Sequence, residues 1–207
     1  VYNAIVWQDR RTQEYCKSLK KNNFENKIRN RTGLFIDPYF SATKVRWILE
    51  NVKKTKKLLK SNNLLFGTID TFLIWKLTKG KYHLTDPTNA SRTMLFNINT
   101  NKWDNEILKK LKIPNKILPV VKNSADNFGL IDKKIASELI PISAVLGDQQ
   151  SAAIGQGCFD RGSTKITYGT GAFMIINIGS KKIISKNKLL TTIGYTLNGK
   201  NTYALEG

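Results

Sequence analysis

The stretch Ile142-Ser143-Ala144-Val145-Leu146-Gly147-Asp148-Gln149-Gln150-Ser151-Ala152-Ala153-Ile154-Gly155 changes character in its middle. The apolar run Ile142 to Leu146, ended by Gly147, reads as a buried strand. Asp148 then opens a short helix whose small residues, Ser151 to Gly155, permit close packing. Ligand sites of α/β sheets lie at such strand-to-helix junctions. Downstream, Thr164 to Tyr168 and Phe173 to Ile178 read as strands flanking Gly169-Thr170-Gly171. A further hairpin carries Asn198-Gly199, a favoured two-residue turn, at its tip. Upstream, Tyr2 to Trp7 reads as a strand and Asp9 to Lys20 as a polar helix. Asp37-Pro38-Tyr39 is a turn. A helix is expected from about Ser41 to Leu59, with Val45, Ile48, Leu49 and Val52 at helical spacing and Ser41 or Thr43 as cap. Asp70 to Leu77 is a second helix closed by Lys79-Gly80. Met94 to Phe96 is a short strand, and Trp103 to Leu111 a small helix stopped by Pro114. Strands mixed with helices place the chain in the α/β class. The shift in pattern near Gly157 to Arg161 suggests a domain of residues 1–157 and the beginning of another in 158–207.

The 207 residues carry 34 Lys and Arg against 15 Asp and Glu, a formal charge of +19. Such a balance raises a polyanion partner. The lysines, however, are spread along the whole chain, and the densest run, Lys53-Lys54-Thr55-Lys56-Lys57, has no interleaved aromatics to stack on bases. The charge therefore reads as a general bias and a solvated helix face, with no nucleic-acid partner expected. No long uncharged apolar stretch is present to span a membrane. Cys16 and Cys158 are far apart and outside any metal-binding spacing, and read as reduced packing residues of a cytoplasmic protein. One histidine, His83, excludes a His-rich metal site and is expected at the surface.

Asp148 in Gly147-Asp148-Gln149-Gln150 has two readings. Its carboxylate can accept a proton from a substrate hydroxyl while Gln149 holds a second hydroxyl, or it is an ordinary helix N-cap. Gly169-Thr170-Gly171 is either a phosphate-contacting loop or a plain hairpin turn; no Walker sequence is present. Trp7 and Phe173 sit in apolar segments where core packing is the bland reading, and Tyr39 after Pro38 is a turn residue. Trp47 and Trp75, on apolar helical faces, are assigned to the core. Ser91-Arg92 is read as structural.

Tyr39-Phe40-Ser41-Ala42-Thr43-Lys44-Val45-Arg46-Trp47-Ile48-Leu49-Glu50-Asn51 resembles the first signature of the FGGY carbohydrate kinase family, which includes glycerol, xylulose, gluconate and fuculose kinases. Ala4 to Thr12, Gly67 to Trp75, Thr88 to Asn97, the Gly147 tetrapeptide and Thr167 to Met174 resemble the glycerol kinase branch and follow in its order. Only Lys53 to Asn63 and Asp126 to Leu139 fall outside the resemblance.

The resemblance implies an actin-like ATPase (ribonuclease H-like) fold of two α/β domains around a cleft. Residues 1–157 correspond to most of the N-terminal domain, lacking its first part, and 158–207 to the start of the C-terminal domain. It implies ATP-dependent phosphorylation of glycerol with Mg²⁺. In this assignment Asp148 is the general base, Tyr39 and Gln149 bind glycerol hydroxyls, and Trp7 and Phe173 wall its carbon backbone. Thr170 contacts the nucleotide phosphates, with Gly169 and Gly171 allowing the approach. Further family parts, an Arg-Glu pair for glycerol, an N-terminal phosphate loop and adenosine-binding residues, are not in this sequence, so the chain by itself is not expected to turn over. The full-length enzyme is expected to be a homo-oligomer. The family's fructose 1,6-bisphosphate loop has no counterpart in Ile131 to Leu139, which lacks glycine and carries Leu139 where Arg is expected. The rival readings are a kinase for another sugar or polyol and a basic binding module.

Overall fold

A computed structural model describes residues 2–169 and 171–207. In chain order the elements are α1 (Gln13–Lys21), α2 (Glu25–Thr32), α3 (Ser41–Asn51), α4 (Lys53–Lys60), α5 (Ile69–Leu77), β1 (Leu84–Thr85), α6 (Pro87–Ser91), β2 (Phe96–Asn97), β3 (Lys102–Trp103), α7 (Asn105–Leu111), β4 (Val120–Val121), α8 (Asp148–Gly155), β5 (Thr164–Tyr168), β6 (Ala172–Gly179), β7 (Leu190–Leu197) and β8 (Lys200–Glu206). They form two compact units. One comprises the residues up to Phe66 with Arg92–Leu118, and the other Gly67–Ser91 with Pro119–Gly207. The second unit holds β5 to β8 together with α5, α6 and α8.

The first unit is mainly helical. Cys16, Leu19 and Ile28 from α1 and α2 are buried, as are Phe40 and Val45 around the start of α3 and Ile107 of α7. The Asp37–Phe40 turn forms as expected, with Phe40 N–H donating to Asp37 O at 3.3 Å. The long helix expected over 41–59 is broken. Val52 is extended (φ −93°, ψ 108°), which separates α3 from the lysine-rich α4. The apolar spacing runs through the break, but Thr55 caps the junction by donating to Val52 O at 2.7 Å, a local bond that competes with continued helix. The residue before α3 is Phe40, so neither Ser41 nor Thr43 caps it; the Thr43 hydroxyl is buried against that of Thr12 at 2.8 Å. Asp104 does cap α7, accepting from Glu106 and Ile107 N–H at 3.1 and 3.0 Å. That helix therefore begins after Trp103, which pairs in β3 instead. Met94 has a positive φ of 64°, and the short strand lies two residues later than expected.

In the second unit β5 to β8 form an antiparallel sheet in the order β5-β6-β8-β7. Asn198 (φ 50°) and Gly199 (φ 74°) turn β7 into β8 as the sequence indicates, both in the left-handed region a two-residue hairpin turn needs. Ile175 and Ala204 of this sheet pack with Ala153 of α8 and with Cys158. Ile74, Leu84 and Phe128 form a second cluster, against which Ile142 and Val145 are partly buried.

Two expected strands do not form. Residues 2 to 6 are irregular, with Val6 and Trp7 more than half exposed at 57% and 53%. A strand exists only by pairing, and no described segment pairs with this one. Residues 142 to 146 are extended and bond along one edge to residues 124–130, but only as isolated bridges at Ala144 and Pro141. Ile142, Val145 and Leu146 are half-buried, and Ser143 and Ala144 are exposed.

Candidate active site

Asp148 is the first residue of α8, and Gly147 (φ −63°, ψ 156°) takes the cap position with no side-chain cap bond. The N-cap reading of Asp148 is thereby excluded. Its side chain is exposed, and its described hydrogen bond is a long one, 3.4 Å from Gln149 Nε2 to Oδ2. The carboxylate thus has open lone pairs at a helix N-terminus, where the dipole favours negative charge.

The junction is held from beneath. Gly147 N–H donates at 2.8 Å to the Thr88 hydroxyl, which itself donates to the Asp86 carboxylate at 2.8 and 2.9 Å. Asp86 is fully buried and also accepts from Thr88 N–H, from Asn89 N–H and Nδ2, and from Ser124 Oγ. Burial pushes its carboxyl pKa up, against the pull of Asn89 and the hydroxyl donors. Gly147 is closely approached: a Cβ there would lie 2.5 Å from Gln150 Oε1, so a side chain would have to displace the end of Gln150. Asp86-Pro87-Thr88 is itself an N-cap followed by a first-turn proline, a signal readable in the sequence. That Thr88 carries the Gly147 amide, 59 positions away, has no local mark in the sequence.

Gln149 is anchored on its other side. Lys165 of β5, 1% exposed, donates from Nζ to Gln149 Oε1 at 2.7 Å. Nothing about a strand lysine marked it as buried in advance.

In the first unit Trp7 and Tyr39 come together, with ring centroids 5.7 Å apart and planes at 51°. The Arg92 guanidinium lies over both Tyr39 and Phe40, at 5.5 and 5.3 Å. Lys44, 5% exposed, donates to the carbonyls of Val6 at 2.7 Å and Tyr39 at 3.3 Å, which ties the two segments together. Burial pushes the Lys44 pKa down, partly offset by Asp9. Trp7 is 53% and Phe173 39% exposed, so neither ring is packed into the core of this chain.

The β5–β6 hairpin forms, with Tyr168 paired to Ala172. Gly169 N–H donates back to Gly171 O at 3.0 Å, so that amide is used within the loop. Thr170 lies outside the described residues. Elsewhere, Trp47, Trp75 and His83 are half-buried, rather than core for the tryptophans and surface for the histidine. The Arg11 guanidinium covers the Trp47 ring at 4.5 Å. Both cysteines are free and buried, as expected. The lysines of the Lys53–Lys57 run are exposed on α4, the solvated face foreseen for them. No described helix is long and apolar enough to cross a membrane. Among the described residues, no group of three His, Cys, Asp or Glu side chains is placed to hold a metal ion by itself.

The architecture is that of the actin-like ATPases. A crystal structure of the glycerol kinase of Plasmodium falciparum with ADP matches all of this chain at a TM-score of 0.94 and 44% identity, over 42% of that protein. Residues 1–155 match the N-terminal domain of the FGGY family of carbohydrate kinases, and the chain belongs to that family. The glycerol kinase of Marinomonas sp. (strain MWYL1) is 55% identical over 207 residues, and that of Malacoplasma penetrans (strain HF-2) is 58% identical over 212 residues. Each match takes in 100% of this chain, which spans 42% of the length of either relative. The likeness therefore extends through Lys53 to Asn63 and Asp126 to Leu139 as well.

Proposed function

We propose that this chain is part of a glycerol kinase that converts ATP and glycerol to ADP and sn-glycerol 3-phosphate. The observation that carries the reading is Asp148: an exposed carboxylate at the start of α8, released from capping by Gly147 and flanked by Gln149. The glycerol kinases at 55 and 58% identity support the choice of substrate.

Asp148 takes the proton of a terminal glycerol hydroxyl as that oxygen bonds to the γ-phosphorus and the bond to the ADP oxygen breaks. Gln149 and Tyr39 hydrogen-bond glycerol hydroxyls, and the exposed rings of Trp7 and Phe173 cover its carbon edge. Gly169, Thr170 and Gly171 serve the nucleotide phosphates. ATP with Mg²⁺ supplies the phosphoryl group and the neutralising charge. Asp148 is kept for the substrate hydroxyl, and Mg²⁺ would arrive with the nucleotide phosphates, whose charge it would neutralise. This reading puts a domain boundary near residue 157, and a family match over residues 1–155 supports it. The same reading makes the protein a cytoplasmic homo-oligomer.

The test is coupled ADP release by the full-length enzyme. Asp148→Ala is expected to lower kcat by about two to four orders of magnitude; undiminished turnover would remove Asp148 from the mechanism. A panel of glycerol, xylulose and erythritol checks the substrate, and a preference for either of the others would reassign it.

A further inference from the structure

The strand β5 is inverted relative to ordinary burial. Lys165 points inward at 1% exposure while its neighbour Ile166 is 44% exposed. Opposite Lys165 on β6 stands Ile175, itself 2% exposed, so the lysine stem runs through apolar surroundings. Burying an ammonium is unfavourable unless a partner compensates it. The partner is the amide oxygen of Gln149, 2.7 Å from Nζ.

We infer that Lys165 is a positioning residue that fixes the orientation of the Gln149 amide, so that Gln149 meets substrate as a hydrogen-bond donor and never as an acceptor. The inference rests on the proposed kinase reading and sharpens it. An ammonium has three donors and no acceptor, so only the carbonyl end of an amide can face it. The NH₂ end must then face the other way, and it does: Nε2 lies on the Asp148 side, 3.4 Å from Oδ2. The two adjacent side chains thereby present opposite polarities. Asp148, ionised, only accepts; Gln149, locked, only donates. A substrate matched to this pair offers two hydroxyls, one giving its hydrogen to Asp148 and the other lending a lone pair to Gln149. A polyol with two hydroxyls within reach of neighbouring residues meets that demand. Without Lys165 only the long contact to Asp148 orients the amide, which can then turn over and place its oxygen against the substrate oxygen, a repulsive arrangement.

The experiment is a double-mutant cycle in the full-length enzyme, with kcat/KM for glycerol and KM for ATP as readouts. Lys165→Met is expected to lower kcat/KM for glycerol roughly tenfold, as loss of a charge-assisted hydrogen bond implies, and to leave KM for ATP within about twofold. In a Gln149→Ala background, Lys165→Met is expected to have no further effect on glycerol kcat/KM, because nothing is left to orient. A further drop of the same size in that background means Lys165 acts through the fold at large and overturns the inference alone. Gln149→Ala without any loss for glycerol overturns the underlying site reading along with it. Gln149→Glu covers the case in which Lys165→Met does not fold. It keeps a partner for Lys165 but removes the donor, so it should lose as much glycerol kcat/KM as Gln149→Ala at an unchanged or higher melting temperature. Full activity of Gln149→Glu would overturn the donor assignment.

Discussion

Lys44 and Lys165 are buried almost equally, at 5% and 1% exposure, yet they grip their surroundings differently. Lys44 holds two backbone carbonyls, those of Val6 and Tyr39. Any residue at 6 or 39 offers the same oxygen, so this grip sets the course of two segments and is indifferent to their side chains. Lys165 holds a side-chain amide, and its partner disappears if residue 149 changes. The first arrangement shapes a surface on which Trp7 and Tyr39 meet at a tilt; the second sets the polarity of a single group. An aromatic wall needs placing only to within the breadth of a ring, whereas a hydrogen-bonding edge needs its donors and acceptors assigned.

The polar junction should therefore be the less forgiving of the two. Thr88→Val removes the acceptor of Gly147 N–H and a donor to buried Asp86 in one step. It is expected to destabilise the protein by about 2–3 kcal/mol and to lower kcat roughly tenfold or more by displacing Asp148. Denaturant titration and steady-state kinetics measure both, and an unaltered midpoint would mean that α8 is held some other way. Lys44→Met strips the donor from two carbonyls near a half-open surface. About 1–2 kcal/mol is expected, with KM for glycerol raised and kcat nearly constant, since the aromatic wall binds without taking part in proton transfer. A fall in kcat equal to that of Thr88→Val would erase the contrast between the regions. The smallest effect belongs to a three-residue ion cluster outside both. Lys27 and Arg31 hold the Glu106 carboxyl at a pKa of about 2, below its usual 4.5. Its contribution to stability is fully present above pH 4.5 and fades as pH falls toward about 2. Glu106→Gln should flatten the melting temperature against pH across that window. The difference should shrink in high salt, because the cluster is exposed to solvent.

The features legible in the sequence were those encoded locally. Thr164 to Tyr168 pairs over the residues read as a strand, because the loop at 169–171 brings its partner in directly. The Asn198-Gly199 turn carried its own conformational requirement. The start of α8 at Asp148 was legible for the same reason, although the cap proved to be Gly147. Tyr2 to Trp7 and Ile142 to Leu146 failed as strands because apolar β-branched sequence does not itself supply a pairing edge. The break at Val52 was hidden by apolar spacing that continues across it. In the site, the exposed or half-exposed groups Trp7, Tyr39, Asp148, Gln149 and Phe173 were named through family motifs. The groups that hold them, Lys44, Lys165, Asp86 and Thr88, were not singled out. Lysine and aspartate carry no local mark of burial, and their roles rest on contacts across 16 to 59 positions of sequence.

The seclusion of Lys165 also divides the lysines of this protein into two chemical populations. Lys53, Lys56 and Lys57 stand in solvent on α4 and are open to any acylating reagent. Lys165 can be acylated only in those molecules where β5 has parted from α8, so its rate of modification is a clock for the opening of that one junction.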